Sequence, residues 1–349
     1  MYNYYKTIPK TELKNYNNIQ IDYDLFYELL NFRSHSSSKT QLEFKEFLKS
    51  HVYYNNLDLI QKDLLLIEED NYGNLYITKN TNKSSKYNCV VAHLDINQKI
   101  VDDFSIVKTD KFIFGFNNDS GEQCGLGFDD KCGVYFALHC LNTFDNIKVV
   151  FTLDEEIGCI GTSNLDYIFF DNVNFLVQLD RNSYFNDISS ETNGIKTVTK
   201  NLQNTLNPIL KKYNYHWEHC IYTDIGEISN VTSICAVNIS CGYFNEHSST
   251  EICSINHFIN AINFGVEVLK SVHKQHKHFN SYTKFKTNLF HDWDKYDSTK
   301  EFLLKDDFYN NDGFVDSFCV DCGVADTSWD KKQDSWCCNW CNKKIIDKN

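Results

Sequence analysis

Arginine, proline and methionine are scarce in this 349-residue sequence: Arg33 and Arg181, Pro9 and Pro208, and Met1 are the only examples. The accompanying excess of Asn, Lys and Tyr points to an AT-rich coding sequence and carries no chemistry. Basic charge is also in deficit, with 34 Lys and Arg against 47 Asp and Glu and a formal charge of -13. A protein built to lie along phosphate backbone gathers Lys and Arg on one face, so nucleic acid is not the expected partner. No apolar run reaches the ~18 residues that a membrane helix needs. Residues 1–10, MYNYYKTIPK, lack the charged start and apolar core of a secretory leader. These absences leave a soluble, cytoplasmic protein as the expectation.

Cysteine is present in number but not in a secreted pattern. Most of the 14 Cys stand singly in apolar stretches, among them Cys89, Cys140, Cys159, Cys235 and Cys253. There they read as small buried thiols in a reducing compartment. With 42% hydrophobic residues the chain can bury one large core and still carry a small appended module.

Periodicity predicts helices over 23–30 and 40–51, the second preceded by Ser36, Ser37 and Ser38 as candidate caps. A hairpin follows, with strands at 64–69 and 75–78 around the turn Asn71-Tyr72-Gly73-Asn74. The chain then alternates: strand 88–93, helix 131–141, strand 147–153, helix 163–169, strand 175–179. A helix over 202–213, strands at 218–222 and 236–240, and a long helix over 254–273 complete the block. Strands alternating with helices imply parallel pairing under two helical layers. The expected fold is therefore a three-layer α/β/α sandwich on a mixed, mainly parallel sheet. We place a catalytic domain at 1–280, a linker at 281–312 and a Cys-rich module at 313–349.

In open sheets of this kind ligands gather at the carboxyl ends of strands. The polar residues found there are His93 and Asp95 in VVAHLD, Asp129 and Asp130 in GLGFDDKCG, Glu155 and Glu156 after VVFTLDEE, Asp180 after FLVQLD, and His247 in NEHSSTE. Any one of them alone is more often a hydrogen-bonded structural residue than a metal ligand. As a set they match the needs of a two-cation site: a carboxylate to bridge, further neutral and anionic ligands on each side, and open positions for water and substrate. Without cations the same acids would repel one another and hold protons.

The order HxD, GxDDK, DEExG, D, H resembles the di-zinc exopeptidase superfamily, clan MH, which holds aminopeptidases, tripeptidases, carboxypeptidases and aminoacylases. The resemblance spans about residues 89–251. It implies that Asp129 bridges two zinc ions, that His93 and Asp180 complete one and Glu156 and His247 the other, and that Glu155 is the catalytic base. It also implies that Asp95 acts behind His93, fixing its ring, and that the Asp129–Asp130 peptide is cis. Cobalt or manganese could replace zinc. The implied reaction is hydrolysis of a terminal peptide bond of a short peptide, most simply by an aminopeptidase or di- or tripeptidase. An N-acyl deacylase or a carboxypeptidase would use the same metal residues. A silent scaffold is the third reading, against which the retention of Glu155 speaks. Relatives carry an inserted lid or dimerisation domain, yet Asp180 and His247 are 67 positions apart and His93 and Asp129 only 36. The chain thus looks like a lidless core, and its oligomeric state is open.

Cys319-x2-Cys322 and Cys338-x2-Cys341 have the spacing of a four-thiolate zinc ribbon. A third, structural zinc would hold this tail, whose Asp321, Asp326, Asp330 and Asp334 suit a structural or protein-docking role better than nucleic acid. His273, His276 and His278 read as solvated at a helix end, as do His216 and His219. Arg181, directly after Asp180, reads as the partner of a metal-ligand carboxylate or of an acidic substrate group. Cys124, Cys132 and Cys241 lack a His arrangement that would mark a nucleophile.

Overall fold

The computed structural model describes residues 19–99 and 101–278, and two short strands farther on. The chain divides into two compact units, Met1–Asp292 and Trp293–Asn349.

The first unit opens with helices α1 (Tyr23–Asn31), α2 (Lys39–Asn55) and α3 (Leu57–Ile60). Asp22 caps α1 by accepting from Leu25 N, and of the three candidate serines it is Ser38 that caps α2, accepting from Gln41 N. Strands β1 (Leu65–Glu69) and β2 (Leu75–Asn80) form the expected antiparallel hairpin. Its turn is organised by one oxygen of Asp70, which accepts from the amides of Tyr72, Gly73 and Asn74 at 3.0, 2.9 and 3.0 Å. There follow β3 (Tyr87–His93), β4 (Phe104–Lys108), β5 (Phe112–Asn117), β6 (Gln123–Cys124), α4 (Phe128–Thr143), β7 (Asn146–Thr152) and α5 (Ile160–Ser163). After these come β8 (Val173–Arg181), β9 (Asp187–Thr192), β10 (Ile195–Lys196), α6 (Lys200–Tyr213), β11 (His216–Cys220), α7 (Asp224–Thr232), β12 (Ala236–Ser240), β13 (Tyr243–Phe244), β14 (Ile252–Ser254) and α8 (Ile255–Ser271).

The main sheet has the order β1-β2-β7-β3-β8-β12-β9-β10, with β11 beside β9. Its centre, β7-β3-β8-β12, is parallel, and β1, β2 and β10 pair antiparallel at the margins. Burial explains the sequence of β3. Val90 and Ala92 belong to a core with Phe26 of α1, Phe44 of α2, Phe136 of α4 and Phe258 of α8. Their neighbours Cys89 and Val91 pack on the other face with Phe170 and with Ile225 and Ile228 of α7. A strand covered on both faces must be apolar throughout, each full burial of such a side chain being worth roughly 1.5–3 kcal/mol. The three-layer α/β expectation is met.

Two local expectations are corrected. The helix predicted over 163–169 is instead the single turn α5 and a separate 3-10 turn, Tyr167–Phe170. Asp166 causes the break, because its side chain accepts from Ile168 N and starts the second turn afresh. The strand predicted at 218–222 lies two residues earlier, and the chain turns into α7 at Asp224, which the sequence reading had not placed. Also unplaced was a second, antiparallel sheet, β13-β14-β5-β4 with β6 on β5, which leads into the start of α4.

In the second unit, Thr327–Asp330 and Ser335–Cys338 pair antiparallel, with Trp329 opposite Trp336. Cys338 ends the second of these strands, whereas Cys319, Cys322 and Cys341 lie outside the described residues. No described helix is long and apolar enough to cross a membrane.

Candidate metal centre

Parallel register brings the strand ends to one edge. His93 closes β3 opposite Thr152 of β7, three residues before Glu155, and Asp180 stands near the end of the adjoining β8. Asp129 enters from the first turn of α4, whose backbone departs from helical geometry at Asp129 and Asp130. The peptide between them is cis, as the resemblance implied. His247 arrives from the loop after β13 with φ +56°, a left-handed conformation uncommon for a side-chain-bearing residue.

The side chains converge. Asp129 stands between the two imidazoles, with Oδ1 3.0 Å from His93 Nε2 and Oδ2 3.1 Å from His247 Nε2. Asp180 Oδ1 lies 3.5 Å from His93 Nε2, and Glu156 Oε1 lies 2.9 Å from His247 Nε2. Glu155 Oε2 is more distant, 3.9 Å from His93 Nε2. Ligand-type atoms of Asp129, Glu156 and His247 lie within 4.8 Å of one another, as do those of His93, Asp130 and Asp180. Asp130, however, is committed to the backbone: its oxygens accept from His93 N at 3.2 Å and Gly133 N at 3.0 Å.

Asp95 meets the His93 ring through its backbone. The Nδ1 of His93 meets the backbone carbonyl of Asp95 at 3.0 Å, while the Asp95 carboxylate is 3.5 Å away. That carboxylate instead accepts from the amides of Glu155 and Glu156, both at 3.0 Å, and from Ser36 Oγ at 2.6 Å. The residue thus ties the His93 ring to the acidic doublet. With Nδ1 facing a carbonyl, Nε2 is the nitrogen left for a metal, and without one it carries a proton toward Asp129.

A feature without a sequence signal supports this loop. Glu251 is fully buried, and its carboxylate accepts from Leu126 N at 2.9 Å, Gly127 N at 2.7 Å and Asp129 N at 3.3 Å. Burial, and then the charge of Asp129, pushes Glu251 up to about 7. Gly127, at φ +74°, admits no side chain, since a Cβ there would lie 2.4 Å from Ile96.

The electrostatics fit a cation-binding site. Burial, then the neighbouring Asp129 charge, raises Asp180 to about 7 and also raises Glu156. Glu155 is pushed well above the usual carboxylate range by burial and by Asp180, Asp224 and Glu156. Burial disfavours the charged form of His247, but hydrogen bonds to Asp129 and Glu156 outweigh it and lift the imidazole to about 11. Protons thus offset negative charge among crowded acids, a role that a bound cation would also fill. Arg181 does not serve that purpose: its guanidinium makes a two-pronged pair with Asp187 at 2.8 and 2.7 Å.

Beside the cluster opens a cavity of about 540 Å³, walled by Asn182, Ile221, Tyr222, Asn238, Tyr243 and Glu246. His219 also faces it, 73% exposed and 2.8 Å from Glu191, while His216 is exposed as expected. His276 and His278 are buried, contrary to the solvated reading, and only His273 is exposed. His278 Nε2 lies 2.6 Å from Ser229 Oγ, which anchors the chain after α8. Cys124, Cys132 and Cys241 are free and buried, and burial raises all three thiols, which suits packing rather than nucleophilic attack.

The fold is similar to solved structures of aminopeptidases. An aminopeptidase PepT from Bacillus cereus is 12% identical, with 71% of this chain and 97% of that chain covered at a TM-score of 0.55. A tripeptidase from Staphylococcus aureus is 13% identical, with 71% and 96% covered at 0.54. An aminopeptidase from the archaeon Desulfurococcus kamchatkensis is 14% identical, with 72% and 96% covered at 0.50. No family model and no curated protein matches the sequence. The class defined at this point is an α/β protein with the fold of these aminopeptidases.

Proposed function

We propose that the chain is a metal-dependent exopeptidase, an aminopeptidase or di- or tripeptidase acting on short peptides. The observation that carries this reading is Asp129, whose two oxygens face two imidazoles 3.0 and 3.1 Å away, each backed by a further acid. In it His93 and Asp180 would hold one divalent cation and Glu156 and His247 a second, with Asp129 shared between the two, zinc being the leading candidate and cobalt or manganese substitutes. Bound there, a cation pair supplies Lewis acidity to a carbonyl oxygen and acidity to a water.

Glu155 does the proton work. Its carboxylate faces the cluster yet is left out of the closest contacts, and Asp95 holds its backbone in place. Its raised proton affinity suits a group that takes a proton from water and delivers it to the leaving amine. Asp95 is the residue that positions the doublet. The free, buried cysteines of the first unit support a reducing, cytoplasmic setting. For the tail we keep the reading of a structural zinc on Cys319, Cys322, Cys338 and Cys341, in a module over 313–349 joined through 281–312 to a catalytic domain at 1–280.

The test is Glu155→Gln assayed with unblocked aminoacyl and N-acyl chromogenic substrates. Turnover should fall by ~10²–10⁴ with metal content unchanged. Equal turnover by the variant would take Glu155 out of the mechanism, and wild-type activity on blocked amines alone would replace the aminopeptidase with a deacylase.

A further inference from the structure

The cavity beside the candidate metal centre is unbalanced in charge once the metal residues are set aside. Its basic groups are engaged among the described residues: Arg181 by both oxygens of Asp187, His219 by Glu191, and His247 by Asp129 and Glu156. None is left to receive a substrate carboxylate. Glu246, by contrast, lines the cavity half-buried, one residue before His247. Its Oε1 accepts from Asn182 Nδ2 at 2.6 Å, and its Oε2 has no hydrogen bond or ion pair among the described residues. Asn182 follows Arg181 at the end of β8, two residues after Asp180. The carboxylate is thereby tethered between the strand that presents Asp180 and the loop that presents His247.

We propose that Glu246 is the residue that reads the free amino terminus of the substrate, accepting its ammonium in an ion pair and selecting peptides with a charged amino end over those offered by a free carboxyl end. The proposal rests on the exopeptidase reading of the same site. An ammonium brings three donors and no acceptor, so it matches a carboxylate with one oxygen held and the other open. Charge-assisted hydrogen bonds of this type are about twice as strong as neutral ones. Glu246→Gln keeps the shape and an oxygen for Asn182, and removes only the charge.

The experiment uses the full, metal-loaded chain, with Leu-Gly-Gly as substrate and its N-acetylated form as competitor. Glu246→Gln should raise KM for Leu-Gly-Gly by ~10- to 100-fold with a far smaller change in kcat, the loss of a charged hydrogen bond. The inhibition constant of the acetylated peptide should not rise, and Glu246→Asp should recover part of the KM. An unchanged KM in Glu246→Gln, or an equal weakening of both ligands, overturns the proposal, as does a wild type that cleaves only the acetylated peptide. Should the wild type cleave neither, the exopeptidase reading fails on its own. Calorimetric binding of leucinamide then decides the present point: weaker binding by Glu246→Gln supports it, and equal binding overturns it.

Discussion

At the scale of single residues, the site depends on acids whose partners are backbone amides as much as on acids that face the cations. Asp95 satisfies the amides of Glu155 and Glu156, and Glu251 satisfies those of Leu126, Gly127 and Asp129. A buried amide left without an acceptor costs about 1–3 kcal/mol. Glu251→Ala should therefore destabilise the first unit by about 3 kcal/mol or more in chemical denaturation, and should weaken metal retention because Asp129 loses its brace. A loss below about 0.5 kcal/mol would show that water replaces the carboxylate at no cost. His93 and Asp180 were legible in the sequence because they stand at the ends of apolar strands, whereas Asp129 and His247, on a helix turn and a loop, were legible only as members of the set. Glu251 was not, because a carboxylate that binds amides leaves no mark on the residues whose amides it binds. Asp95 was legible as a neighbour of His93, but which of its oxygens meets the ring depends on a loop conformation that no spacing encodes.

Between elements, the fold rests on close approach of helices and strands at small residues. Gly265 of α8 faces α4: a Cβ there would lie 2.6 Å from Phe136 and 3.4 Å from Leu179 of β8. Gly265→Leu should overpack this junction and destabilise by about 1–3 kcal/mol, read as a lowered denaturation midpoint with an unchanged slope. A neutral substitution would mean that α8 is free to shift away from α4. Elements with strong local signals were legible: β3 and β8 by the apolar runs 89–92 and 175–177, α2 by its serine cap, and β1 and β2 by the turn chemistry of Asn71-Tyr72-Gly73-Asn74. The second sheet was not. Its strands β4 and β5 are short and partly exposed, and β5 is completed by β14, more than a hundred residues later. Pairing of that range has no local signature. The 3-10 turn at Tyr167–Phe170 is not legible as such, because its apolar residues mimic helical spacing and the Asp166 side chain that caps it divides the segment.

For the molecule as a whole, a few of its 47 acidic residues form a buried cluster that stays together at the cost of perturbed protonation. Asp180 and Glu156 are raised, and His93 and His247 are held toward their charged forms against burial. Cations bound by the folded state and not by the unfolded chain add stability by mass action, so chelation should lower the thermal midpoint of the first unit and re-addition of zinc should restore it. The most direct test of the central claim is the metal content per chain of wild type and Asp129→Ala, measured by native mass spectrometry. The account predicts a wild type carrying a pair of divalent ions beyond any held by the cysteine-rich tail, and an Asp129→Ala protein that has lost that pair while remaining folded. A pair retained without Asp129, or a folded wild type that binds no such pair at any zinc concentration, would contradict it.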